Sequence, residues 1–267
     1  MSNCCKMVEL YSQKLWHYMS DVYSFQHMRV SEIGITNDLI YQFMKFYSHY
    51  PSQCDVYIDH SSDEKTRGAD IDLLIFNSAG NGDRYFIQSK VMNWQGRYKD
   101  IRKWNHLGIP QFQKLINWAN DPTHMGCPLY LLYNGNTINA LLGNSQYGLS
   151  IIDANIIRNY RYDQYYHRVR RSISDLTFDI LFRAGIHPFH ILFCDDPINS
   201  QSRKKYERPT KYKLNEIEIE YPYIKVDAAT PEQKDQNEIY FQESKLDSEY
   251  PRYKVVIRNI NDPESNM

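Results

Sequence analysis

The segment from Gly68 to Val91 constrains the fold more than any other part of the chain. Ala69-Asp-Ile-Asp-Leu-Leu-Ile-Phe76 reads as a strand, Asn77-Ser-Ala-Gly-Asn-Gly82 as a tight turn, and Arg84-Tyr-Phe-Ile-Gln-Ser-Lys-Val91 as the return strand of a hairpin. Asp70 and Asp72 are two residues apart, so on a strand they share one face; Gln88 and Lys90 share a face for the same reason. If the strands pair through the Asn77–Gly82 turn, all four polar groups meet near one end of the hairpin, and a one-residue slip separates them.

The flanking elements place this hairpin in a larger sheet. Leu10, Leu15, Trp16, Met19, Val22 and Tyr23 mark an amphipathic helix from Lys6 to about Met28. After a break around Gly34, Thr36 is expected to cap a second helix carrying Leu39, Ile40, Phe43, Met44 and Tyr47, which stops before Pro51. Asp55–Asp59 reads as a strand ahead of the hairpin. Gln111–Ala119 reads as a helix after Pro110, and Pro128–Tyr133 as a buried central strand. Helical signals return at Asp153–Tyr160 and Ile173–Phe182. His187 and His190 flank Pro188-Phe189, read as a turn into a last buried strand, His190–Cys194. The expected fold is α/β with a mixed central sheet flanked by helices, its first three strands a meander.

Composition bears on partners and compartment. The chain has 267 residues, 42% of them hydrophobic, enough for a sizeable core. Its net charge of -1 leaves nucleic-acid binding to local basic patches. Arg158, Arg161, Arg168, Arg170 and Arg171 surround Tyr162, Tyr165 and Tyr166; Arg161, Arg168 and Arg171 are candidate phosphate contacts, against the plainer reading of a solvated helix face. Cys4, Cys5, Cys54, Cys127 and Cys194 show no paired spacing, so neither a disulfide framework nor a zinc site is expected. No apolar run is long enough for a bilayer, and a cytoplasmic protein without membrane contact is the expectation. Residues 1–196 are read as the core domain and 197–267 as a polar extension, partly loosely ordered, with a last strand at 253–258. Within it, Arg203–Lys213 holds six basic residues and one acidic one, either a DNA-contacting arm or a soluble linker.

Carboxylate, amide oxygen and ammonium together at a strand end are suited to a hard cation and a phosphodiester. The order of motifs, Gly-Ala-Asp70 on one strand and Gln88-Ser89-Lys90 on the next, resembles the PD-(D/E)xK nuclease superfamily, in particular its Mrr-like branch with QxK for ExK. The likeness runs from Val30 to Tyr133, under half of the chain. It implies a restriction-endonuclease-like core and a metal-dependent endonuclease acting on DNA, with Mg²⁺, or Mn²⁺ in its place, as cofactor. It further implies catalytic roles for Asp70, Gln88, Lys90 and Glu32. Asp70, Glu32 and the Ser89 carbonyl would be metal ligands, Asp72 being the alternative to Asp70. Gln111, or less favourably Gln113, would be a helix-borne contact to the substrate. Defence against foreign DNA and homodimerisation to cut both strands are expectations of the same kind. The neutral Gln88 keeps two alternatives open: a catalytically weak module that binds nucleic acid or a protein partner, and an RNase.

Overall fold

The computed structural model describes residues 3–25, 28–49, 54–60, 68–76, 81–98, 101, 109–123, 125–137, 144–159, 176–194, 212–213, 224–225 and 253–259. Helix α1 spans Asn3–Ser24 and buries Cys4, Cys5, Val8, Tyr11, Leu15, Met19 and Tyr23, one stripe at three-to-four spacing. Helix α2 spans Glu32–His49 and so begins before Gly34, not at Thr36. Ser31 makes the early start possible: its Oγ accepts from the Gly34 N–H at 3.3 Å, with Glu32 in the favourable first turn. A glycine in the first turn does not interrupt a helix capped in this way. Thr36, freed from capping, turns its hydroxyl back to the Glu32 carbonyl at 2.9 Å.

Strands β1 (Cys54–His60), β2 (Ile71–Phe76) and β3 (Asn81–Val91) follow, then the short β4 (Arg97–Tyr98). Helix α3 spans Gln111–Asn120 behind Pro110 and buries Phe112, Leu115, Ile116 and Ala119. Strand β5 (Cys127–Tyr133) is buried at every position, as its continuous apolar run requires. Strand β6 (Leu149–Asp153) leads into helix α4 (154–159). Then come β7 (Leu176–Thr177), helix α5 (Phe178–Ala184) and β8 (His187–Pro188). The downstream strands are β9 (Tyr212–Lys213), β10 (Ile224–Lys225) and β11 (Tyr253–Asn259).

The molecule is a mixed α/β fold. Among the described residues the main sheet has nine strands in the order β10-β1-β11-β2-β3-β5-β6-β8, with β9 on the start of β3, and β4 pairs separately with β7. The hairpin register is the one the polar pattern needs: Ile71 opposite Ile87, Leu73 opposite Tyr85. Strand β5 lies parallel to β3, Gln88 beside Tyr130 and Lys90 beside Leu132. The ring of Phe86 meets Trp118 of α3, whereas Ser89 reaches Thr36 of α2. Because alternate strand residues point to opposite faces, α2 and α3 cover opposite faces of the sheet.

Three more expectations are corrected. β1 and β2 are not neighbours in a meander: β11 lies between them, antiparallel to β1 and parallel to β2. Its seven residues satisfy backbone groups of two strands at once, so this segment belongs to the sheet interior. His190–Cys194 is not a strand but part of a 3₁₀ helix, Phe189–Phe193, buried at every position. A short apolar run enclosed on all sides has no period from which helix and strand can be told apart. Finally, Cys5 of α1 and Cys194 form a disulfide across 189 residues of sequence, with Cα atoms 5.0 Å apart. Fold proximity decides that pairing, and irregular spacing says nothing about it. Cys4 and Cys127 are buried. Of the residues 197–249 only β9 and β10 are described, and Arg161, Arg168, Arg170 and Arg171 lie outside the described residues. No helix among the described residues is long and apolar enough to cross a membrane.

Candidate active site at the overhanging end of β3

Strand β3 outruns its neighbour. The last pair between β2 and β3 is Ile71 with Ile87, extended by one bond from the Asp70 N–H to the Ile87 carbonyl at 2.7 Å. Beyond Ile87, residues 88–91 pair, among the described residues, only with β5 on the other side. An overhang of this kind leaves buried ladder donors that need partners. Two carboxylates supply them. Asp70 Oδ2 accepts from the Ser89 N–H at 2.7 Å, and Glu32 Oε2 accepts from the Val91 N–H at 3.3 Å. The strand period thus sets Asp70 and Glu32 side by side along one edge, two residues of β3 apart.

Local sequence explains how each group arrives. Gly68 has φ +71, a left-handed conformation that favours glycine. A Cβ there would also crowd the Lys114 Cβ at 3.2 Å and the Leu115 backbone nitrogen at 3.3 Å. Gly68 therefore lets the chain pass close against α3 and turn into β2 with Asp70 at the entrance. Glu32 comes from the opposite face, in the first turn of α2. The anchor for that helix is a hydroxyl cluster: Thr36 Oγ1 lies 2.8 Å from the Tyr133 hydroxyl, which lies 3.2 Å from Ser89 Oγ. Ser89 points away from Gln88 and Lys90, so binding it to α2 and β5 fixes the two side chains that flank it.

The remaining groups close the constellation. Lys90 Nζ donates to Glu32 Oε1 at 3.2 Å, its own side chain almost fully buried and that of Glu32 33% exposed. Gln88 Nε2 donates to Asp70 Oδ2, and Gln111 Nε2 donates to Gln88 Oε1 at 2.7 Å. Asp70, Gln88, Ser89, Lys90, Glu32 and Gln111 are therefore brought together; Asp72 is not. Both of its oxygens are held by Arg84, at 2.6 and 2.9 Å, and the guanidinium lies 4.6 Å from the Phe86 ring centre. Gln113 bonds to Asn117 on its own helix. Thr36, Tyr133 and Tyr130 are the supporting residues that sequence reasoning missed. Tyr130 is the register partner of Gln88 and is fully buried. Only the fully apolar surroundings of β5 hinted that its tyrosines were interior.

Electrostatically the cluster sets two carboxylates, Asp70 and Glu32, beside the buried ammonium of Lys90. Burial pushes the Asp70 carboxyl up to about 7; Lys90 and the Ser89 N–H oppose this and Glu32 reinforces it. The phenol of Tyr130 is also raised, first by burial and then by Asp70 and Glu32. A divalent cation fits such a place. The donors that face it are hard oxygens: Asp70, Glu32 and the Ser89 carbonyl. Among the described residues no three His, Cys, Asp or Glu side chains form a metal cluster. Two carboxylates completed by neutral oxygens and water suit Mg²⁺, which commonly keeps several waters.

No curated protein and no solved structure matches the chain. A family model matches residues 4–263, nearly the full length, so the α2 glutamate, the hairpin, β5 and the distant β11 all fall within the matched span. The chain belongs to that family, described as a family of unknown function, DUF6615.

Proposed function

We propose that this protein is a metal-dependent nuclease that hydrolyses phosphodiester bonds, with DNA as substrate and Mg²⁺ or Mn²⁺ as cofactor. One observation carries the reading: two carboxylates and a lysine converge on the end of β3 that outruns β2, where burial disfavours the charge on Asp70 and a cation would favour it. Asp70 and Glu32 would hold the cation, assisted by the Ser89 carbonyl. What the cation supplies when bound is Lewis acidity and charge neutralisation at a phosphodiester. Lys90 contributes a fixed positive charge with three donors, able to orient an attacking water and to stabilise charge growing on phosphate oxygens. Its ion pair with Glu32 holds the ammonium at the mouth of the site. Resemblance to the PD-(D/E)xK superfamily supports the same assignment, and defence against foreign DNA is the biological setting proposed with it.

Gln88 favours a second reading. Its amide presents N–H, not oxygen, to Asp70, and Gln111 donates to its oxygen. Both amides must turn over together for Gln88 to offer oxygen to a cation. A site that resists this turnover would bind metal weakly, and the protein would then serve as a binding module. Supercoiled plasmid incubated with Mg²⁺, Mn²⁺ or EDTA separates the readings. The proposal expects metal-dependent nicking by the wild type and loss of about 10²-fold or more in Lys90→Ala with folding intact. Equal nicking by both proteins rejects the assignment of Lys90, and no nicking by either favours the binding module. Matched RNA in the same assay tests the ribonuclease alternative.

A further inference from the structure

The residues directly after the overhang form a rigid turn with a tryptophan at its corner. Met92 still pairs with β5, its N–H donating to the Tyr133 carbonyl at 3.0 Å, and bridges to Tyr98. Asn93 then organises the turn. Its side-chain oxygen accepts from the N–H groups of Gln95 at 2.9 Å and Arg97 at 3.1 Å. Its backbone N–H donates to the Arg97 carbonyl and its carbonyl accepts from the Gly96 N–H, both at 2.9 Å. Gly96 sits at φ +75, where a side chain would be strained, and its carbonyl accepts from Phe178 at 3.3 Å. Behind the turn, Arg97 and Tyr98 pair with Thr177 and Leu176, and the fully buried Tyr98 hydroxyl bonds to Asn134.

Against this scaffold Trp94 stands out. It is 38% exposed, and among the described residues its indole has no hydrogen-bond or ring partner. A turn held by this many bonds does not fold over to bury it. Trp94 follows Lys90 by four residues, a span of at most about 13 Å on an extended strand. Arg97, also exposed, adds a positive charge on the same turn. A partly exposed aromatic side chain on a hydrogen-bonded turn, within about 13 Å of the lysine of the proposed phosphate site, has a direct use: a nucleobase can stack on it. Bases inside a duplex are already stacked on both faces and cannot use it.

We propose that Trp94 is a stacking platform for an unpaired nucleobase a few nucleotides from the phosphate held at Lys90, so that the site takes single-stranded or locally opened nucleic acid. The inference rests on the nuclease reading and names its substrate class. The test is fluorescence anisotropy with the full chain in EDTA, on labelled oligo(dT), the matching oligo(U) and a blunt duplex. Trp94→Ala should weaken single-strand binding about tenfold, a loss within the range for one stacked base, with duplex binding unchanged. Trp94→Phe, which keeps a stacking face, should retain most of the affinity. The oligo(dT) and oligo(U) arms say whether the base comes from DNA or RNA. Equal single-strand affinity in Trp94→Ala, or equal losses on single strand and duplex, would overturn the inference while plasmid cleavage by the wild type kept the nuclease reading intact. A wild type that neither binds nor cuts would remove both.

Discussion

Asp70 and Asp72 stand two residues apart at the start of one strand, yet they live in opposite electrostatic worlds. Asp72 meets a guanidinium that grips both oxygens and rests on the Phe86 ring, so its charge is matched, hydrogen-bonded and covered. Asp70 meets an amide, a backbone N–H, a second carboxylate and the ammonium of Lys90 that the second carboxylate holds. Burial and Glu32 push its pKa up to about 7, whereas the Asp72 pair is complete within the protein. The contrast separates a carboxylate that holds the fold together from one that the fold holds at a cost, and the second kind is where ligands act.

The largest effect that can break this comparison is on stability. Asp72→Ala strands the mostly buried Arg84 and should cost roughly 3–5 kcal/mol in denaturant unfolding, with nicking per folded molecule unchanged. A mild effect there would mean that the Asp72 pair is not the structural element it is taken to be. Asp70→Asn should do the reverse. Asn keeps an oxygen for the Ser89 N–H and removes a charge that burial disfavours, so in EDTA at pH 8 the variant should be more stable than wild type.

The pH profile sharpens the point. The Asp70 carboxyl has a reference pKa of 3.8 and is pushed up to about 7 in the folded protein. Between those values the folded state holds the proton that the unfolded chain releases. Its stabilising contribution is therefore full below 3.8 and is lost as pH rises through about 7. Metal-free wild type should lose stability across that window, and Asp70→Asn should lose less. Parallel profiles would show that Asp70 is not strained in this way. The smallest effect concerns Gln111, which holds the orientation of Gln88 without touching either carboxylate in the bonds described. Gln111→Ala should lower metal-dependent cleavage by about 10-fold, in the range for groups that orient metal ligands, and leave the unfolding midpoint near that of wild type.

Much of this site was legible because it depends on local periods. Spacing of two put Asp70 with Asp72 and Gln88 with Lys90 on shared faces, and a hairpin between their strands was expected, but the register that brings Asp70 to Gln88 and Lys90 is known only from the fold. Spacing could not separate Asp70 from Asp72, because the decision lies with Arg84 across the hairpin and with how far β3 outruns β2. The overhang itself needed both strand ends, and element ends are set by tertiary partners. Thr36 was read as a helix cap because Gly34 looked like a break; its hydroxyl instead joins Tyr133 and Ser89 across the fold. The same limit applies to β11. Its seven residues read as a strand, but nothing local says that they pass between β1 and β2. The Cys5–Cys194 bond and the 3₁₀ helix at Phe189–Phe193 were hidden for related reasons: one depends on two segments 189 residues apart meeting, the other on enclosure that erases periodicity.

The central claim is that the Asp70 side of this contrast is a metal site. Calorimetric titration of Mn²⁺ into wild type, Asp70→Asn and Asp72→Asn tests it most directly. The account predicts binding by wild type, retained in Asp72→Asn and lost in Asp70→Asn. Binding that survives in Asp70→Asn, or no binding by wild type at millimolar metal, would contradict it.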